Sequence, residues 1–115
     1  MSSAVRKRPN LRIETGAFAE RLLLEGRIAV GVAYSQQGQH RQARARREVI
    51  LCGGTLHNPQ LLQLSGIGPA ALLSQLGIPV LHDLPGVGEN LQEHLGVDVM
   101  HLCKEPVSLA DQFKP

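Results

Sequence analysis

The feature that most constrains the fold is a short, unbroken apolar run that ends at two glycines. Residues 49–52 (VILC) contain no charged side chain, and Gly53-Gly54 follows directly. Such runs are typical of strands that are buried on both faces of a parallel sheet. A helix over residues 60–64 is expected next, because Asn58 is a good cap and Pro59 is favoured at the first helical position. A strand, a glycine turn and a helix in this order predict an α/β fold.

The segment before this run predicts an antiparallel meander of about three strands. Large side chains occupy alternate positions over residues 28–34, which is the pattern of a strand with one packed face. Gly26 and Gly38 mark tight turns on either side of that strand, because glycine adopts positive φ angles freely. Within residues 40–47, Ala43 and Ala45 alternate with Arg44 and Arg46, and the segment predicts a further, half-exposed strand.

The segment after the run predicts a second short helix and a last strand. Pro69 can begin the helix over residues 70–76, and Gly77 followed by Pro79 can end it. Residues 97–102 alternate in a way that suits a strand.

Composition excludes several classes of protein. With 115 residues, 43% hydrophobic and 19% charged, the chain suits one small globular segment. Two Phe, one Tyr and no Trp leave no platform for stacking bases. No apolar run approaches the ~20 residues of a membrane span, and the first ten residues lack the apolar core of a secretory signal. Cys52 and Cys103 do not indicate a disulfide framework, and they have no metal-ligand spacing, which predicts no metal site. Reduced thiols in the cytoplasm are the default expectation.

Charge is distributed unevenly along the chain. Residues 1–47 carry ten basic and three acidic side chains, whereas residues 48–115 carry two and seven. A basic half can bind nucleic acid or an anionic ligand. Arginines on the solvent faces of strands explain the same excess more simply, so we expect no nucleic-acid partner. Salt-dependent binding of DNA or RNA would separate the two interpretations.

The Gly53-Gly54 turn has two interpretations. Small residues at the end of a buried strand let a nucleotide or a phosphate-bearing cofactor approach the backbone, and the next helix offers free N–H groups. Alternatively, the turn needs glycine only for its own backbone angles. The later GVGENL segment, residues 86–91, does not complete a GxGxxG fingerprint because Leu91 occupies the third small position. A non-enzymatic small protein that binds a nucleotide or a partner through the turn therefore remains the alternative hypothesis.

A longer pattern around this turn resembles a known family. Residues 54–68 (GTLHNPQLLQLSGIG) closely resemble the second signature of the glucose–methanol–choline (GMC) oxidoreductases, which are FAD-dependent alcohol dehydrogenases and oxidases. Upstream, RPNL at residues 8–11 and EVIL at residues 48–51 are similar to the family's segment. Downstream, LPGVGENLQEH at residues 84–94 is similar too, and residues 104–109 resemble choline-dehydrogenase-like members.

The resemblance implies a fragment of a Rossmann-like FAD-binding fold with roles for individual residues. Residues 1–94 would form a partial FAD-binding domain, and residues 95–115 would begin the substrate-binding domain. In the family, the element that corresponds to Cys52, Gly53 and Gly54 lies beside the adenosine and pyrophosphate side of FAD. The backbone at the position of Ala19 meets the adenine. His94 matches the histidine of an acid–histidine pair on the substrate side.

The family's reaction is removal of the hydroxyl proton of an alcohol by a base, with hydride transfer to the flavin. A Glu that attracts quaternary ammonium in choline-type members is replaced here by Gly96, which favours a more general alcohol. The resemblance finds no counterpart of the family's GxGxxG unit or of its catalytic histidine. We therefore expect an interior part of a longer enzyme with no catalytic residue of its own, weak or absent FAD binding alone, and self-association through exposed sheet edges.

Overall fold

An antiparallel meander is the largest part of the computed structural model, which describes residues 3–99. Strands β1 (Ala17–Glu25), β2 (Ile28–Gln36) and β3 (Gln39–Arg44) pair in the order β1-β2-β3, and a single helical turn, α1 (Ser3–Arg6), precedes them. The predicted three-stranded meander is confirmed.

Both hairpin turns of the meander lie where the glycines predict them. The first turn has Gly26 at φ +61°, and the second has Gln37 at φ 52° and Gly38 at φ 75°. Two successive positive φ angles define a type I′ turn, whose twist matches that of the strands it joins. A left-handed backbone position is a strictly local requirement, which is why the sequence alone located these turns.

The packed residues of β2 differ from the prediction. The large side chains of residues 28–34 were expected to form the buried face, yet Gly31 and Ala33 are the buried positions and Ile28 is 68% exposed. A Cβ at Gly31 would collide with the backbone carbonyl oxygen of Ala43 on β3. Small residues are therefore buried here because the backbone of the neighbouring strand comes close.

Residues 49–52 do not form the predicted buried strand. They are irregular, and Ile50 is 73% exposed. A strand exists through hydrogen bonds to a neighbouring strand, and none of the described strands pairs with this segment. Parallel pairing occurs instead between β4 (Ile67–Gly68) and β5 (His82–Asp83). The mixed α/β class, with a meander and parallel strands, is confirmed, although this strand is not.

Helix α2 (Gly54–Leu64) begins six residues before the predicted segment 60–64. Its N-cap is Gly53, and Asn58 and Pro59 lie inside the helix. The side-chain oxygen of Asn58 accepts a hydrogen bond from the Gly53 N–H at 2.8 Å. Asn58 therefore supports the helix start from within the helix, and the predicted cap was placed too late.

Helix α3 (Ala70–Gln75) follows Pro69, as predicted. The Gly77 N–H donates to the Ser74 carbonyl at 3.1 Å, and the Ile78 N–H donates to the Leu73 carbonyl at 2.8 Å. This pair of bonds, with Gly77 at φ +70°, is a Schellman motif. The predicted glycine end of the helix is confirmed.

The core of the described residues is small. Its buried apolar side chains are Leu22, Ala33, Leu73 and Val87. One buried polar residue, Ser65, joins the end of α2 to β1, because its hydroxyl accepts a hydrogen bond from the Leu22 N–H at 2.8 Å and donates to the Leu61 carbonyl at 2.6 Å. One outward N–H of the edge strand β1 is thus satisfied by a side chain from the end of α2.

The last described segment, residues 91–99, has no regular structure. The strand predicted for residues 97–102 is not formed over residues 97–99, and its remainder lies outside the described residues. Cys103 and most of the predicted second domain, residues 95–115, also lie outside them. Within residues 3–99, no helix has the length and apolar character needed to cross a membrane.

Candidate functional site

A cleft of about 420 Å³ lies between strands β1 and β2, the irregular segment before α2, and one side of α2. This volume falls within the range of roughly 300–1,000 Å³ that is usual for small-molecule sites. The lining residues are Ala17, Phe18, Ala19, Val32, residues 49–53, His57, Asn58, Gln60, Leu61 and Leu64.

The cleft brings together three of the four residues that the family resemblance assigns to the cofactor. Ala19, Cys52 and Gly53 line it, and Gly54 follows at the start of α2. Ala19 lies on the meander, whereas the other three belong to the connection into α2, so only the tertiary fold makes them neighbours. The link between Ser65 and Leu22 holds the far end of α2 against the same strand.

His94 lies outside this cleft. It is exposed in the irregular segment 91–99, and its backbone N–H donates to its neighbour's carboxylate, Glu93 Oε1, at 3.0 Å. Among the described residues, nothing places His94 beside the residues assigned to the cofactor. Its substrate-side role stays a prediction.

Local geometry accounts for both glycines of the turn. Gly54 has φ +82°, a backbone angle that side chains other than glycine rarely adopt. A Cβ at Gly53 would lie 3.0 Å from the side-chain oxygen of Asn58 and 3.2 Å from Cβ of His57. Glycine is therefore required at Gly54 by its backbone angle, and it relieves tight side-chain contacts at Gly53, whether or not a ligand binds. The observation that points to a ligand is the cleft beside the turn.

The cleft is almost entirely apolar, and none of its lining residues is Lys, Arg, Asp or Glu. Its polar groups are the thiol of Cys52 and the side chains of His57, Asn58 and Gln60. Arg44 lies outside the lining and pairs with Glu25 at 2.6 Å, with both side chains about two-thirds exposed. An apolar lining with a few polar groups suits a flat heterocycle such as adenine, but it offers no cation to a diphosphate.

Sequence reasoning missed several residues of the cleft, of which Phe18 is the most informative. Phe18 precedes Ala19 and is 69% exposed, and it is one of only two Phe in the chain. A rare aromatic residue beside a predicted contact is the pattern that would have drawn attention to it. Val32 carries no comparable pattern, because its exposure to the cleft depends on how α2 packs.

The remaining histidines of the described part make surface contacts outside the cleft. His40 Nδ1 lies 3.0 Å from Glu20 Oε2, and His82 Nδ1 lies 3.1 Å from an Arg27 nitrogen. Within residues 3–99, no three His, Cys, Asp or Glu side chains are grouped as a metal site.

Comparison with known proteins decides the family. Residues 1–96 match the sequence model of the GMC oxidoreductases. The chain belongs to the GMC oxidoreductase family. The family inferred from the signature at residues 54–68 is thus confirmed, and membership of this family implies FAD as the cofactor.

Similar proteins include oxygen-dependent choline dehydrogenases from Chromohalobacter salexigens, at 56% identity over 109 residues, and from Pseudomonas savastanoi pv. phaseolicola, at 53% over 111 residues. Each alignment covers 95% of this GMC chain and 20% of the relative. The chain therefore spans about a fifth of the length of the curated relatives it matches.

Solved structures of similar fold include a FAD-dependent oxidoreductase from Chaetomium thermophilum, with a TM-score of 0.69 and 41% identity over 74% of this chain and 15% of that one. A pyridoxine 4-oxidase from Mesorbium loti has a TM-score of 0.69 and 39% identity, covering 73% of this chain and 16% of that one.

Proposed function

We propose that this chain is the part of a FAD-dependent GMC oxidoreductase that supports the adenosine end of the cofactor. The observation that carries the proposal is the cleft that places Ala19 beside Cys52 and Gly53 in a member of this family. The enzyme to which the chain belongs would oxidise the CH–OH group of an alcohol. Choline is the first substrate to test, since similar proteins are named choline dehydrogenases, while Gly96 argues for a wider range of alcohols.

The residues that would hold the cofactor act mainly through their backbone. Ala19 and residues 52–54 offer peptide groups, and Phe18 and Val32 offer apolar surface for the adenine. Among residues 3–99, no side chain caps the first N–H groups of α2, so these groups could donate to an anionic oxygen. FAD, when bound, supplies the hydride acceptor of the reaction. In this division of roles, the chain positions the cofactor and contributes no base for the hydroxyl proton.

Affinity for FAD alone should be low. The cleft offers no cation to the diphosphate, and Arg44 and Arg46 are exposed, where salt screens their charge. We expect a dissociation constant no tighter than roughly 100 µM, which corresponds to about 5.5 kcal/mol. Titration calorimetry with FAD measures this constant directly. A yellow protein that keeps its flavin through gel filtration would contradict the proposal of weak binding.

Thiol labelling locates the site of binding. Cys52 is exposed and lines the cleft, so adenosine or FAD bound there should slow its alkylation in a Cys103→Ala variant. An Ala19→Trp change should fill the cleft and abolish this protection. An Ala71→Trp change, on an exposed position of α3, is the matched control and should leave protection intact. Protection that survives Ala19→Trp would show that the ligand binds elsewhere.

Three further elements of the proposal concern organisation. Residues 1–94 would belong to the FAD-binding domain and residues 95–115 to the substrate domain, and limited proteolysis near residue 94 tests that boundary. A cytoplasmic location follows from the expected reduced thiols. Self-association would be visible in sedimentation measurements.

The alternative of a non-enzymatic binding protein is not favoured, given the family match over residues 1–96.

A further inference from the structure

The outer edge of β3 is an unpaired strand edge. β3 lies at the end of the sheet order β1-β2-β3, and all six of its residues are exposed. Gln36 pairs with Gln39 across a two-residue turn, and the Ala45 N–H donates to the Val30 carbonyl at 2.9 Å. These two contacts set which amides of β3 face β2. Because amides alternate along a strand, those of His40, Gln42 and Arg44 face outward.

These outward groups have no partner within the part of the chain that the structure describes. No described strand pairs with this edge, and the described side chains that accept from backbone amides do so from residues outside β3. By contrast, the outer edge of β1 is occupied where the Leu22 N–H meets Ser65. The described chain thus meets one edge of the meander at Leu22, whereas no described group bonds to the outward amides of the other edge.

Charge at the open edge is strongly positive. Residues 39–47 contain four arginines and no acidic residue. Arg44 and His40 pair with carboxylates on β1, namely Glu25 and Glu20. Arg41, Arg46 and Arg47 have no carboxylate within ion-pair distance among the described residues, and all three are exposed. Unpaired basic side chains therefore accompany the free backbone groups.

We propose that the outer edge of β3 is a docking site for an extended, acidic segment of another polypeptide, which adds as a fourth strand. Strand addition satisfies the outward backbone groups, and side chains select the partner. A second copy of β3 suits the charge of this edge less well. Pairing antiparallel about Gln42 would bring Arg41 opposite Ala43 and add no carboxylate, so Arg41, Arg46 and Arg47 of both copies would stay without an acidic partner. An acidic strand neutralises Arg41 and its neighbours instead.

The discriminating measurement is amide hydrogen exchange, followed by NMR on the full-length chain. The probe is a blocked seven-residue peptide that alternates Glu with Val. We expect this peptide to protect the amides of His40, Gln42 and Arg44, and to leave those of Arg41 and Ala43 unchanged, since these already bond to β2. Uniform slowing of all five amides, or none, would overturn strand addition. A peptide that alternates Lys with Val is the charge control and should not bind.

Two matched pairs of variants separate the backbone contribution from the charge contribution. Gln42→Pro removes one outward N–H and leaves the bonds to β2 in place, and an edge strand tolerates proline at such a position. This variant should bind the peptide about five- to tenfold more weakly, as expected for one lost hydrogen bond. Gln42→Ala should have no effect. Arg41→Gln should weaken binding and its salt dependence, whereas Arg8→Gln, which lies outside the meander, should not.

Three outcomes would refute the proposal. Equal affinity of the Gln42→Pro and Gln42→Ala variants would show that attraction is purely electrostatic. Duplex DNA that binds more tightly than the peptide and displaces it would assign the edge to nucleic acid. A dimer that protects the same three amides without any peptide would assign it to a second copy of this chain.

Discussion

The hydroxyl of Ser65 is the contact through which α2 holds β1, and replacing it with alanine tests that role. Ser65 is only 6% exposed, and its oxygen accepts the Leu22 N–H at 2.8 Å across 43 residues of sequence. In a Ser65→Ala variant, this N–H has no acceptor. We therefore expect both the stability of the chain and the shape of the cleft to change, because the same two elements line the cleft.

The expected loss of stability follows from the hydrogen bonds that the Leu22 N–H and the Leu61 carbonyl lose. A buried N–H left without an acceptor costs about 1–3 kcal/mol. The Leu61 carbonyl also loses the Ser65 hydroxyl, but it keeps the hydrogen bond from the Ser65 N–H at 3.1 Å, so its loss is partial. We expect the free energy of unfolding to fall by about 2 kcal/mol, a large fraction of the ~5–15 kcal/mol typical of a domain.

Urea denaturation followed by circular dichroism measures this change, with a slope that should stay constant if the unfolded state is unaltered. Exchange of the Leu22 amide proton should accelerate about 30-fold, the equivalent of ~2 kcal/mol. Ser74→Ala, at an exposed position of α3, is the matched control. A Ser65→Ala effect below about 0.5 kcal/mol, the usual range of surface substitutions, would refute the role given to this contact.

Three other predictions concern the chain as a whole. With FAD and an artificial electron acceptor, the chain alone should oxidise no alcohol, because the family resemblance assigns none of its residues to the catalytic histidine. FAD-dependent turnover would contradict this. Heating should give a broad transition, since exposed side chains such as Phe18 and Ile50 each forgo about 1.5–3 kcal/mol of burial; a sharp melt of a monomer above ~65 °C would count against it. Gly54→Ala should lower the free energy of unfolding by about 1–2 kcal/mol, because φ at this residue is +82°. Gly86→Ala is the control and should leave the stability almost unchanged, because Gly86 has free space and no positive φ. Equal losses of stability in the two variants would exclude backbone strain as the reason.

Only some residues of the candidate site could be predicted from the sequence. The signature at residues 54–68 identified the family, and the resemblance assigned Ala19 and residues 52–54 to one ligand. It assigned neither Phe18 nor Val32 to the ligand, and these residues join the cleft only because α2 packs against the meander. His94 carried a family role as well, but in the described residues it lies outside the cleft. A sequence motif identifies residues that are close along the chain. The residues that line a cleft depend on how distant segments pack against each other.

By itself, the sequence determined the features that depend on a few neighbouring residues. The turns at Gly26 and Gly38 and the end of α3 at Gly77 follow from a backbone angle that glycine adopts at little cost. Tertiary structure decided whether residues 49–52 pair as a strand, where α2 begins and which residues line the cleft. The physical reason is that a glycine turn needs only its own φ angle, whereas a strand, a cleft or the bond between Leu22 and Ser65 needs a partner that the chain supplies from many residues away.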